Sequence, residues 1–237
     1  MAAIVAAPCR RLERETGSAL VARTGPRGAF WDEWRDGLRV VRREVPVAVV
    51  FGIVAGASVG EGLFAVLLVV WIARVPDGGA AEYGWLMSAQ AVGGLIGGAR
   101  TAAVARVVSL PWLLGLSGIA IGLIDLLIFN DPTVFPGIFP GLILFVVVGL
   151  PVSWFFTTQT TLLQQGVSDI DRGRVFGALA TTGALMTFLG TFLAGLLGNR
   201  IGAVAVLSVH AAGNAAAGLA ALQRLAALSI QNATAEV

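Results

Sequence analysis

Long apolar runs alternate with short polar breaks from residue 46 onward. Four runs are long and almost free of charge, at residues 46–73, 107–129, 134–156 and 175–198. A helix needs about 20 consecutive apolar residues to cross the hydrocarbon core of a bilayer. The pattern therefore predicts four transmembrane helices, whose only charged residues are Glu61 and Asp125.

Two weaker runs complete the predicted membrane domain, residues 46–228. The run 84–105 is interrupted by Arg100, and the run 201–222 owes much of its hydropathy to nine alanines. With six spans, ten arginines counted from Arg27 onward lie on one side, and only Arg74 and Arg200 lie on the other. The positive-inside rule assigns the arginine-rich side to the cytoplasm.

The predicted fold class is thus an all-α polytopic membrane helix bundle. It has six transmembrane helices, lies in the plasma membrane and keeps both termini cytoplasmic. Residues 229–237 are predicted to form a cytoplasmic tail.

The N-terminal region differs from the rest in its density of charge. We expect residues 1–29 to be a disordered arm. Within residues 30–45, apolar side chains recur at helical spacing and charged side chains occupy the opposite face. This pattern predicts an amphipathic helix lying on the inner membrane surface.

Composition supports a membrane protein and argues against several other classes. Apolar residues make up 57% of the chain and charged residues 13%, whereas soluble domains carry about 25% charged residues. A soluble enzyme or a nucleic-acid-binding domain fits this composition poorly. With one Cys and one His, we expect no metal site and no disulfide framework, and no motif predicts a cofactor.

Glycines at four-residue spacing predict where the helices pack. Gly52, Gly56 and Gly60 form such a ridge on the first span, and Gly93 and Gly97 form one on the second. Helices in lipid associate by close backbone approach, which small residues permit. The spacing therefore favours a compact bundle.

Glu61 is the most informative residue for function. It lies 15 residues after Pro46, about 23 Å along an ideal helix, and an intramembrane carboxylate normally faces a cavity or a partner. One interpretation is a residue that couples transport to a proton or cation, or that contacts a cationic substrate. The alternative is a structural carboxyl group hydrogen-bonded to a neighbouring helix.

Other polar residues in the spans have weaker interpretations. Ser153, Thr157 and Thr158 either line a water-filled cavity or mark the cytoplasmic end of the fourth span. We expect Asp125 to lie at the outer interface and His210 to be a satisfied helix contact.

An intramembrane protease is a further alternative, because Ser117 lies in a GLSG sequence and His210 lies in the last span. Their expected depths differ by roughly 6 Å, however, which disfavours a nucleophile–base pair. We therefore predict that the chain is not an enzyme.

Three stretches carry motifs whose order and spacing are moderately specific. They are FWDEWRDGLRVVRREVPV (Phe30–Val47), AAEYGWLMSAQAVGGLIGG (Ala80–Gly98) and TTLLQQGVSDIDRGRVFG (Thr160–Gly177). Together they resemble the C-terminal six-helix half of major facilitator superfamily transporters, in the branch of drug and siderophore exporters.

The resemblance implies a rocker-switch transporter in which the family's helices seven and ten line the cavity and nine and twelve are peripheral. It thereby favours Glu61 and the region 153–161 as pathway residues. It also implies a cytoplasmic loop motif whose charge pairs join helices; its residues here are Asp171, Arg172, Gly173 and Arg174. The alternative for these arginines is that they only enforce topology.

The resemblance leads to an expected function. We expect proton-coupled efflux of a small amphipathic molecule through a secondary active transporter. Because the family has twelve spans, the chain is expected to be a fragment or to pair with a second copy. The alternative is a six-helix membrane scaffold or partner subunit without transport of its own.

Overall fold

The computed structural model describes residues 27–73, 78–130 and 138–235, and every regular element in these ranges is an α-helix. Residues 1–26 of the predicted arm lie outside the described residues. The helices, in chain order, are α1 (Arg27–Arg43), α2 (Val45–Ile72), α3 (Ala80–Val104), α4 (Leu110–Asn130), α5 (Ile138–Gly166), α6 (Asp169–Ile201) and α7 (Ala203–Ala235).

The prediction of an all-α chain with membrane-type helices is confirmed. Five helices are long and apolar enough to cross a membrane: α2, α4, α5, α6 and the Ala203–Arg224 part of α7. Helix α3 is 25 residues long, but Glu82, Gln90 and Arg100 lower its hydropathy, and it is not among the five.

Two helices extend beyond the apolar runs that predicted them. Helix α5 continues ten residues past Phe156 to Gly166, and α6 already begins at Asp169 rather than at Val175. Hydropathy locates only the part of a helix in the hydrocarbon, whereas backbone hydrogen bonds carry the helix on through polar residues. The connection between α5 and α6 is consequently very short.

Glycines bring several pairs of helices into backbone contact. A methyl group on Gly93 would collide with the Val146 carbonyl, and one on Gly149 would collide with the Gln90 carbonyl, so α3 and α5 pack without intervening side chains. Helices α4 and α7 meet in the same way at Gly118 and Gly218. Such contacts replace hydrophobic burial as the source of helix association in lipid.

The predicted ridge on α2 needs correction. Gly60 lies against the His210 ring, but Gly52 and Gly56 are exposed, and nothing lies within 4 Å of where their Cβ atoms would be. Instead, α2 approaches α6 at Gly62 and Gly190. Four-residue spacing shows that a helix has a smooth face, but it does not show which neighbour covers that face.

Helix α1 packs on the bundle through part of its apolar face. The Trp34 indole donates a hydrogen bond to Thr182 Oγ1 at 3.1 Å, and Gly37 lies against the backbone of Arg174 on α6. Phe30 and Trp31, at the start of the helix, remain about half exposed.

The packing predicts opposite effects for two nearby glycines on α3. Gly93→Ala places a methyl group against the backbone of α5 and should destabilise the protein by about 1–3 kcal/mol. Gly98→Ala is the matched control, because nothing lies within 4 Å of its Cβ position and alanine favours a helix by up to about 1 kcal/mol. Thermal unfolding in detergent measures both; equal shifts would contradict the α3–α5 contact.

Candidate functional site

A cavity of about 280 Å³ lies inside the bundle and is lined by α2, α3, α4, α5 and α7. Along α2 its lining runs from Ile53 to Ala65, about 18 Å of an ideal helix. It therefore extends through much of the hydrocarbon depth rather than forming a shallow surface dimple.

Polar side chains from all five helices face this cavity. Aromatic and aliphatic side chains, among them Phe64, Phe155 and Phe156, form the remaining wall. The polar members are Ser58, Glu61, Tyr83, Gln90, Asp125, Gln159, His210 and Asn214. An apolar cavity with a few convergent polar groups is the usual form of a small-molecule site.

Glu61 lies in the cavity wall, as the sequence led us to expect. Its carboxylate has no hydrogen-bond or ion-pair partner in the part of the chain that the structure describes, and its side chain is exposed. The interpretation as a structural carboxyl bonded to a neighbouring helix therefore finds no partner among those residues. A free intramembrane carboxylate is costly, which favours a functional role.

A polar cluster lies on α4 and α7 in the same cavity. Asn214 Nδ2 is 3.2 Å from His210 Nε2, within hydrogen-bond distance, and the Asp125 carboxyl group lies near Asn214. Asp125 is only 5% exposed. The His210 ring rests on Gly60, so the cluster reaches the helix turn that carries Glu61.

Both Asp125 and His210 line the cavity, although the resemblance implied that their helices are peripheral. Asp125 is buried in the protein, and His210 is a helix contact with a hydrogen-bond partner, as expected. Sequence depth alone cannot show which way a helix turns. The spacing of His210 and Asn214, four residues apart on one helix face, was a usable signal that the sequence analysis missed.

Only one face of the polar stretch of α5 lines the cavity. Val148, Val152, Phe155, Phe156 and Gln159 follow helical periodicity into the cavity. Ser153, Thr157 and Thr158 do not line this cavity, and their assignment to the pathway stays a prediction.

Ser153, Thr157 and Thr158 lie in three different surroundings outside the cavity. Ser153 donates a hydrogen bond to the Leu150 carbonyl at 2.9 Å beside Gly97, Thr157 is exposed, and Thr158 is fully buried.

Gln159 belongs to the polar stretch 153–161 that the resemblance favoured, and it faces the cavity. It is only 7% exposed, it lines the cavity, and its Oε1 has no hydrogen-bond partner among the described residues. Buried amide oxygens are normally paired, but this one has almost no accessible surface, so a ligand or water in the cavity does not reach it in this conformation.

The charged motif at the start of α6 forms mainly local bonds. Arg172 pairs with Asp169 at 2.6 Å, and Arg174 pairs with Asp171 at 3.5 Å, in both cases within α6. Arg172 also donates to the Gln164 carbonyl at the end of α5, from Nε at 3.3 Å and from Nη2 at 3.0 Å, and these are the motif's hydrogen bonds to another helix in the described structure. Nothing lies within 4 Å of where a Cβ atom on Gly173 would be.

The residues of the protease alternative do not pair. Ser117 is buried and donates its hydroxyl to the Leu113 carbonyl at 2.6 Å, while His210 bonds to Asn214. No hydrogen bond joins Ser117 and His210 in the described structure.

The chain was also compared with known proteins. No protein-family model, no curated protein and no solved structure matches it. The cavity and the helical membrane-type fold are therefore the basis for assigning a function.

The Asn214 cluster predicts a measurable stability effect. Asn214→Ala removes the hydrogen bond to the half-buried His210 beside the buried Asp125 and should destabilise the protein by roughly 1–2 kcal/mol. Asn199→Ala, at an exposed position near the end of α6, is the control and should have little effect. Equal unfolding midpoints for both variants in detergent would argue against the cluster.

Proposed function

We propose that α3 is a sixth membrane span and that both termini face the cytoplasm of a plasma-membrane protein. Helix α3 packs along α5, and its opposite face exposes large apolar side chains, including Trp85 and Leu95, the latter 76% exposed. Its 25 residues measure about 37 Å, enough to cross the hydrocarbon core. The arginine distribution supports the orientation.

Cysteine labelling tests this topology at the two ends of α3. In a Cys9→Ser background, which removes the chain's only cysteine, Gly79→Cys and Ser109→Cys flank the helix. In intact cells, a membrane-impermeant maleimide should label Gly79→Cys and should reach Ser109→Cys only after permeabilisation. If both sites respond alike, α3 does not cross the membrane.

We propose that the protein is a secondary active transporter of the major facilitator type that exports a small amphipathic molecule in exchange for protons. The observation that carries this proposal is the unpartnered Glu61 carboxylate in a cavity inside a bundle of membrane-type helices. A carboxylate can alternately bind a proton and release it as the cavity opens to either side. The other titratable groups facing the cavity are Tyr83, Asp125 and His210.

Two further features fit this proposal. Helix α1 exposes Phe30 and Trp31, which suit insertion into the inner membrane surface, while Trp34 holds the helix on α6. A complete pathway of this type uses two six-helix units, so we propose that a second unit, either another copy or a separate chain, assembles with this bundle.

Glu61→Gln tests the function with minimal change in shape. In proteoliposomes, dye efflux driven by a pH gradient should fall to background, because an amide cannot bind and release a proton near neutral pH. The probe is a fluorescent amphipathic dye such as Hoechst 33342. Glu82→Gln removes the same charge at a position outside the cavity lining and should retain transport.

Two outcomes would contradict the proposal. Full pH-dependent efflux by the Glu61→Gln protein would exclude Glu61 as the coupling residue. No efflux by the unaltered chain, with or without a co-purified partner, would favour the scaffold alternative.

A further inference from the structure

A groove of about 520 Å³ runs along the outside of the bundle between α2 and α7. Gly52 and Gly56 on α2 are exposed in it, and nothing lies within 4 Å of where their Cβ atoms would be. No neighbouring helix therefore fills this part of the groove in the described structure. The rest of the apolar lining is Val45, Ala48, Val49, Ile53, Ala217 and Ala220.

The groove is as long as one leaflet of a bilayer is thick. Along α2 its lining runs from Val45 to Gly56, about 17 Å at 1.5 Å per residue. The hydrocarbon core of a bilayer is about 30 Å thick, so one leaflet contributes about 15 Å. Because Val45 is the first residue of α2, the groove begins at one end of the span and stops near its middle. This length suits an acyl chain better than a helix that crosses the whole membrane.

Two arginines lie at the end of the groove where α2 begins. Arg42 is in the last turn of α1, and Arg224 is the final residue of the apolar part of α7. Both are exposed, and neither has an ion-pair partner among the described residues. No Asp or Glu belongs to the groove lining in the described structure, so the mouth of the groove is basic.

We propose that this groove binds an anionic phospholipid, with the phosphate group between Arg42 and Arg224 and an acyl chain along Gly52 and Gly56. Guanidinium groups bind phosphate through paired N–H donors, and basic pockets between membrane helices bind anionic lipid headgroups. A second copy of the chain fits less well, because two-fold symmetry would set the same two arginines against each other. The proposal goes beyond transport and requires only that the bundle lies in a membrane.

Native mass spectrometry of the full chain in detergent tests the headgroup preference. The probes are phosphatidylglycerol and phosphatidylcholine with identical oleoyl chains, since only the first carries a net negative charge. Phosphatidylglycerol should bind about tenfold tighter, because two arginines attract its phosphate and no ammonium group cancels that charge. Equal affinities for the two lipids would overturn the proposal.

Paired arginine variants locate the headgroup. Arg42→Gln combined with Arg224→Gln should bring phosphatidylglycerol to within about twofold of phosphatidylcholine, because the basic mouth of the groove is lost. Arg35→Gln combined with Arg43→Gln is the control, which removes the same charge from exposed positions outside the groove lining and should keep the preference. A preference that survives the first pair, or that both pairs reduce equally, would contradict this site.

Filling the groove tests the position of the acyl chain. Gly56→Leu occupies open space without meeting another helix and should weaken the binding of both lipids about fivefold, because the chain is displaced from its groove. Gly52→Leu serves as a second variant if the first does not fold. The control is Gly98→Leu, which has equally open space on α3 outside the groove and should bind lipid normally.

Two outcomes of this experiment would overturn the proposal. Lipid binding that is equal in the Gly56→Leu and Gly98→Leu proteins would show that the acyl chain lies elsewhere. A dimer that Gly56→Leu converts to a monomer, without any preference for phosphatidylglycerol, would identify a second copy of the chain as the occupant of the groove.

Discussion

Backbone contact between helices at glycine residues is the constraint on which the cavity depends. In lipid, apolar side chains gain little by turning inward, so the helices are oriented by the places where their backbones can meet. Gly118 and Gly218 set α4 against α7 and thereby bring Asp125 to Asn214. Gly60 leaves room for the His210 ring on α2, which brings the same cluster to the turn that carries Glu61.

The polar groups of the cavity fall into two sets with different chemical states. Asn214 and His210 are joined by a hydrogen bond beside the buried Asp125, so these residues stabilise the wall. The Glu61 carboxylate is exposed and has no partner among the described residues, so it is available to a proton, water or a substrate. This difference separates a supporting cluster from a binding surface within one cavity.

The sequence predicted the helical membrane-type class because uncharged apolar runs leave few other structures. It also singled out Glu61, because a lone carboxylate in such a run is costly. It could not distinguish Gln159 from Ser153, because both belong to the polar stretch 153–161 and only the face of α5 that each occupies decides which one lines the cavity. That face is set by α3, where Gly97 leaves space for Ser153.

Reagent access to position 61 tests most directly whether the cavity forms a polar pathway. In the Cys9→Ser background, Glu61→Cys is compared with Leu95→Cys, which lies on the outward apolar face of α3. A thiol reacts with a water-soluble methanethiosulfonate only where water allows the thiolate to form. We predict rapid reaction at position 61 and little at position 95; a position 61 as unreactive as position 95 would contradict a water-accessible pathway.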